Sequence, residues 1–183
     1  DKPPALPNLG LADSIAGLHG ASAVLMALRN VEVLGGRGQI VDVSLLDSLS
    51  FLLGGDAAAY AAVGTIPQRM GNRGAVAAPR NVYQAADGHS VALAASTQGM
   101  TERLFRAIGR ADLIADPRFT TNSERLQNVE ELDAIIQDFI GRHSLAENME
   151  FFLGHQVTAG PVYNAAQFAA DPHVIERQLR VAV

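Results

Sequence analysis

Asn81-Val82-Tyr83-Gln84-Ala85-Ala86-Asp87-Gly88-His89-Ser90-Val91-Ala92-Leu93-Ala94-Ala95 is the stretch whose reading decides the fold class. Asn81–Ala86 and His89–Ala95 resemble two strands, and the Asp87-Gly88 pair between them tolerates the positive backbone angles of a tight turn. An antiparallel hairpin is predicted. Beyond it the apolar period lengthens. Residues 99–109 read as a helix stopped by Gly109, and Asp116-Pro117-Arg118-Phe119 reads as a turn. Thr121 and Asn122 are caps for the next helix, and Glu124–His143 and Ala146–Leu153 read as amphipathic helices separated near Ser144. Thr158–Tyr163 is a loop running into a short extended piece. Ala165–Ala170 begins a helical stretch that Asp171-Pro172 ends. A hairpin with helices after it makes a compact α+β unit.

Upstream of the hairpin, residues 64–79 are loop-like, punctuated by Gly64, Pro67, Gly71, Gly74 and Pro79, with Arg69 and Arg73 among them. Leu45–Val63 reads as a helix dense in Leu and Ala, with Gly54-Gly55 in its middle. Gln39–Ser44 alternates apolar and polar residues, the period of a half-buried strand. Asp13–Val33 has helical spacing, with Asp13 or Ser14 as a cap and Gly35-Gly36-Arg37-Gly38 as the stop. Residues 1–12 read as an extended approach segment. Helix, strand and helix suggest the edge of an α/β unit placed before the α+β unit.

The 183 residues are 48% hydrophobic and 18% charged with a net charge of −5, the composition of an ordinary globular protein. No Lys/Arg run offers a footing for a phosphate backbone, so no nucleic-acid partner is expected. The absence of cysteine excludes disulfides, thiolate metal sites and a Cys nucleophile. The five His show no compact ligand spacing, so no metal is expected. Asp42, Asp47 and Asp56 interrupt the most apolar region, 41–63, and the start has no apolar run of a signal peptide. No membrane span is expected, and a cytoplasmic location is. The start without Met and the apolar end Val181-Ala182-Val183 read as cut rather than finished.

By residues alone the chain has no strong catalytic signature: no P-loop, no G-x-S-x-G, no dinucleotide fingerprint. What remains is Asp13. A carboxylate at a helix mouth sits among unpaired backbone N–H groups at the positive end of the dipole. It either caps the helix or attacks an activated acyl carbon, and its spacing alone favours the cap. Arg37, Gln39, Asp42 and Asp47 read as structural. His19, about one and a half turns past Asp13, falls on roughly the opposite side of the helix.

The stretch Leu11-Ala12-Asp13-Ser14-Ile15-Ala16-Gly17-Leu18-His19 resembles the segment of family III CoA-transferases, the formyl-CoA and carnitine CoA-transferase group, that carries a nucleophilic aspartate at a helix start. Gly36-Arg37-Gly38-Gln39-Ile40-Val41-Asp42-Val43-Ser44-Leu45-Leu46-Asp47 is similar to the family's G-x-G-Q-x-V-D-V-S-L-x-D run. Arg69-Met70-Gly71-Asn72, Ala78-Pro79, Asp116-Pro117-Arg118-Phe119, Ala159-Gly160-Pro161-Val162 and Asp171-Pro172 come after it in collinear order.

The resemblance implies an α/β fold: residues 1–63 as the C-terminal part of a Rossmann-like large domain, 64–80 as a linker and active-site loop, 81–172 as a small α+β domain, and 173–183 as a return segment. It implies transfer of coenzyme A between an acyl-CoA and a small carboxylic acid. Asp13 would form first a mixed anhydride and then an aspartyl-CoA thioester. CoA would be substrate and product, with no permanently bound cofactor and no metal. Gly71, Asn72, Arg73 and Gly74 resemble the loop that closes over the active site, and an interlocked homodimer is implied.

Where the formyl-CoA transferase subgroup has a run of glycines, this chain has Gly74-Ala75-Val76-Ala77-Ala78-Pro79, which argues against oxalate and formate. The α-methylacyl-CoA racemase branch is the enzymatic alternative. It places a glutamate after the second hairpin strand, where Ala94-Ala95-Ser96-Thr97-Gln98 has no carboxylate. A catalytically inactive, oligomerising fragment is the alternative from another class. In the family the nucleotide of CoA is held largely by a part preceding Asp13, so the isolated chain is expected to bind CoA weakly.

Overall fold

The computed structural model describes residues 6–180, so the first five residues of the approach segment and the final Val181-Ala182-Val183 lie outside the described residues. The chain divides into two compact units, Asp1–Gln68 and Arg69–Val183.

In the first unit, α1 (Leu11–Glu32) starts two residues earlier than its spacing predicts. It ends where Gly35 takes φ +67° and the Gly36 N–H reaches the Asn30 carbonyl at 2.9 Å. A Cβ on Gly36 would lie 2.3 Å from Asn30 Nδ2, so a side chain there would have to push the Asn30 amide aside. By length and mean hydropathy (1.4) α1 meets the measure of a membrane-crossing helix, a test that core helices also pass.

The predicted strand 39–44 is not formed. A strand exists through its ladder, and among the described residues none runs beside this segment. Instead Gly38, Gln39 and Val41 line a groove with Val24, Leu28 and Val31 of α1. Ser44 then caps α2 (Leu45–Ser50), its hydroxyl accepting from the Asp47 N–H at 3.0 Å. The single helix predicted over 45–63 is broken. A 3₁₀ turn (Phe51–Leu53) leads to Gly54 at φ +59°, and α3 (Asp56–Val63) begins afresh. Among the described residues of this unit only Ser48 is buried; Leu18, Leu25, Met26, Leu46 and Phe51 are exposed.

The second unit has a built core. β1 (Arg80–Gln84) and β2 (Ser90–Ala94) form the predicted hairpin, with Tyr83 opposite Val91 and Arg80 opposite Ala94. Gly88 turns it at φ +82°. Asp87 braces it twice, accepting the His89 N–H at 3.2 Å and the Leu145 N–H at 2.9 Å. The Leu145 N–H is the chief reason that the Asp87 carboxyl is held below the usual carboxylate range. The short extended piece is β3 (Ala159–Pro161), antiparallel to β2, giving sheet order β1-β2-β3.

The helices are α4 (Gln98–Ala107), α5 (Asn122–Gln127), α6 (Val129–Ile140) and α7 (Leu145–Gly154), then α8 (Ala165–Ala170) and α9 (Pro172–Glu176). Pleating sends Tyr83, Val91 and Leu93 to the inner sheet face, where they join Leu104 and Phe105 of α4 and Leu132, Ile136 and Ile140 of α6. Leu132, Ile136 and Ile140 recur every four residues, so one stripe of α6 is fully withdrawn from water. Thr121 and Ser144 close reciprocal capping boxes with Glu124 and Glu147. The predicted helix 124–143 is split at Asn128 (ψ 28°), whose amide donates to the Glu124 and Arg118 carbonyls. Asp171-Pro172 both ends α8 and starts α9, with Asp171 as cap and Pro172 in the first turn. The chain is thus a mixed α/β fold with a small antiparallel sheet and helical regions.

Candidate active site

Asp13 occupies the third position of α1. The N-cap is Gly10, not Asp13, and no side chain caps the helix. The Leu11 N–H turns back to the Leu9 carbonyl (2.8 Å), and the first i→i−4 bond runs from the Ser14 N–H to the Gly10 carbonyl (2.9 Å). The N–H groups of Ala12 and Asp13 therefore precede the ladder and point out of the helix mouth. A Cβ on Gly10 would lie 3.1 Å from Asp13 Oδ2, so the carboxylate folds over a position left open by glycine. Asp13 is exposed. His19 is half-buried and turns its ring edge-on to Phe51, centroids 6.1 Å apart. Asp47 is a first-turn acid of α2, and Asp42 is exposed.

Gly71, Asn72, Arg73 and Gly74 lie in the second unit, whereas Asp13 lies in the first. Gly71 takes φ +62°, and the Arg73 N–H closes a turn on the Met70 carbonyl at 3.2 Å. The Arg73 side chain is committed inward: Nε donates to Asp133 Oδ2 at 2.7 Å, and Nη1 lies 3.6 Å from Glu130. Asp133 is only 7% exposed and also accepts from Asn81 Nδ2 (2.9 Å) and the Tyr83 hydroxyl (2.7 Å). Burial first, and the bond to Asp133 second, push the Tyr83 hydroxyl far above its ordinary range. The bond to Asp133 likewise raises Arg73. Asp133 is therefore a buried hub tying the loop to β1 and α6.

Two further residues fix the segment after the loop, and sequence reading missed both roles. Asn122, read as a cap, donates to the Val76 carbonyl (3.0 Å) and accepts the Ala78 N–H (3.1 Å); Thr121 is the actual cap. Arg125, 1% exposed, donates to the carbonyls of Ala78 (2.8 Å) and Phe119 (3.0 Å) and to Gln98 Oε1 (2.9 Å). Burial lowers its pKa. In the sequence Arg125 falls in register with Val129, Leu132, Ile136 and Ile140, and a charge in that apolar stripe is the signal that could have found it.

The model of CoA-transferase family III matches residues 1–183. The chain belongs to that family. Among curated relatives, the succinyl-CoA–D-citramalate CoA-transferase of Chloroflexus aurantiacus is 31% identical over 183 residues, all of this chain and 45% of that protein. The α subunit of the succinyl-CoA–L-malate CoA-transferase of Chloroflexus aurantiacus is 33% identical over 95% of this chain and 41% of its own. The succinyl-CoA:mesaconate CoA-transferase of Haloarcula hispanica is 33% identical over 98% of this chain and 44% of its own. A crystal structure of a CaiB/BaiF family protein from Brucella suis superposes with a TM-score of 0.74 at 30% identity, covering 99% of this chain and 47% of that one. The chain thus spans less than half the length of these curated relatives.

Proposed function

We propose that this chain carries the nucleophile of an acyl-CoA:carboxylate CoA-transferase, with Asp13 as the attacking group and a dicarboxylic acid as acyl donor or acceptor. The observation that supports it most is an exposed, uncapped Asp13 carboxylate in the first turn of α1, within a chain that the family matches end to end. The substrate class rests on the relatives, whose names pair succinyl-CoA with citramalate, malate or mesaconate.

An Asp13 oxygen attacks the thioester carbonyl carbon of the donor. The C–S bond breaks, giving a mixed anhydride and CoA thiolate. The thiolate attacks the aspartyl carbonyl of the anhydride, so the donor leaves as its carboxylate and Asp13 holds CoA as a thioester. The acceptor carboxylate displaces the thiolate to form a second anhydride. Attack of the thiolate on the acceptor carbonyl then releases the new acyl-CoA and restores Asp13. No water and no net proton are consumed. Each tetrahedral oxyanion falls to the Ala12 and Asp13 N–H groups, where the helix dipole favours negative charge.

In this reading residues 1–63 end the Rossmann-like large domain, 64–80 form the linker and loop, 81–172 the small domain and 173–183 the return segment. Gly71, Asn72, Arg73 and Gly74 cover bound acyl-CoA from an Arg73 anchor, and the working form is a homodimer. Labelled succinate exchanged into succinyl-CoA tests the proposal. Asp13→Asn lowers the rate by at least about a thousandfold, and the aspartyl-CoA adduct seen by intact-mass spectrometry disappears. Undiminished exchange in Asp13→Asn refutes it.

A further inference from the structure

The second unit carries a groove that the transfer steps do not use. Because strand side chains alternate, Val82, Ala92 and Ala94 point away from the core, and Gly160 of β3 sits opposite Ala92. The outer face of the sheet is thereby floored by side chains no larger than valine. Together with Asn72, Arg80 and Thr158 these residues line a groove of about 520 Å³, and none of its lining residues is acidic.

Arg80 sets the chemistry of this groove. Arg73, Arg106, Arg110, Arg118 and Arg142 are ion-paired, and Arg103 and Arg125 donate to carbonyls. The Arg80 guanidinium makes neither kind of bond among the described residues. Its stem is nevertheless held. The Gly74 N–H donates to the Arg80 carbonyl at 3.2 Å, and Arg80 Cδ lies only 2.9 Å from where a Cβ on Gly74 would stand. Glycine at 74 opens the path by which the arginine crosses the loop. The Asn81 side chain, also in the lining, is occupied by Asp133 and by the Val82 N–H. An unpaired guanidinium, the Asn72 amide and the Thr158 hydroxyl thus border a short apolar floor. Such a site suits a small anion separated by a few methylenes from the rest of its molecule.

We infer that this groove binds a short dicarboxylic acid, with Arg80 as the residue that recognises a carboxylate of it. The substrate class rests on the transferase reading, but the site is tested by binding alone. Arg80 then determines specificity between dicarboxylic acids and their monocarboxylic analogues.

Titration of the labelled 183-residue chain with succinate, followed by backbone-amide NMR, tests this. Succinate shifts Asn72, Ala92 and Gly160 saturably, and butyrate, of similar length without the second carboxylate, binds at least about tenfold more weakly. Arg80→Gln removes the preference, Arg80→Lys retains part of it, and both keep the wild-type circular dichroism. A second variant, Gly160→Val, leaves Arg80 in place but fills the floor; a Cβ at 160 meets nothing within 4 Å, so the fold accepts it and succinate binding is lost. Equal shifts by butyrate, no shift at these amides, or unchanged binding in Arg80→Gln overturns the inference. So does displacement of succinate by inorganic phosphate at equal concentration, which marks a general anion site. Exchange activity that depends on Asp13 without succinate-selective binding sinks the groove alone. Selective binding together with exchange undiminished in Asp13→Asn sinks the transferase reading and leaves the groove.

Discussion

Replacing Asp133 by alanine removes the one acceptor shared by three donors. The Tyr83 hydroxyl, on a residue 3% exposed, and the half-buried Asn81 amide lose their partner with little access to water. Each such orphan costs about 1–3 kcal/mol. The Arg73 side chain is 29% exposed and rehydrates, so its loss adds less. The total expected for Asp133→Ala is about 3–5 kcal/mol, in line with breaking a buried ion pair. Asp133→Asn, which keeps the shape but offers an amide hydrogen to donors, costs about half as much. Urea unfolding followed by tyrosine fluorescence and circular dichroism should show a lower midpoint with an unchanged slope. A double-mutant cycle with Tyr83→Phe should give a coupling of about 1–2 kcal/mol. Trypsin should cut faster after Arg73 once its anchor is gone. A destabilisation below about 1 kcal/mol in Asp133→Ala refutes the hub.

Arg125→Met keeps the length of the side chain but leaves the Ala78 and Phe119 carbonyls without their donor, and should cost about 2–4 kcal/mol by the same urea assay. Acid stability follows Asp116, whose carboxyl the Arg118 guanidinium draws down to about 2. A depressed carboxyl stabilises the fold fully above the unfolded value of about 4, and that contribution is lost as pH falls toward 2. The melting temperature should therefore drop over that window, and less steeply in Asp116→Asn.

The hairpin was legible because its information is local: alternation, an Asp87-Gly88 turn and β-forming residues all point to one structure. The cap at Thr121 was legible for the same reason, whereas Ser144 read only as the break between two helices and not as the cap it is. Gln39–Ser44 misled, since its alternation is equally strong, but a strand needs a neighbour and none of the described residues supplies one. The break at Asn128 depends on the Arg118 carbonyl, ten residues away in sequence, and no helical period records it. Asp13 was picked out by resemblance, and its third-position geometry, with Gly10 as the cap, lies below what spacing resolves. Asp133 and Arg125 were invisible as a hub and a clamp because their partners lie on other elements.

The uneven burial has a consequence for anyone who heats this polypeptide. Cooperative melting requires a shared interior, and here that interior is confined to the sheet and its helices. Residues 6–68 bury a single serine side chain and own no such reservoir. A calorimetric peak from the 183-residue chain therefore reports on residues 69–180. Helix α1, which bears the candidate nucleophile, should lose its ellipticity along a sloping baseline rather than in a step, so its integrity has to be followed with a probe of its own.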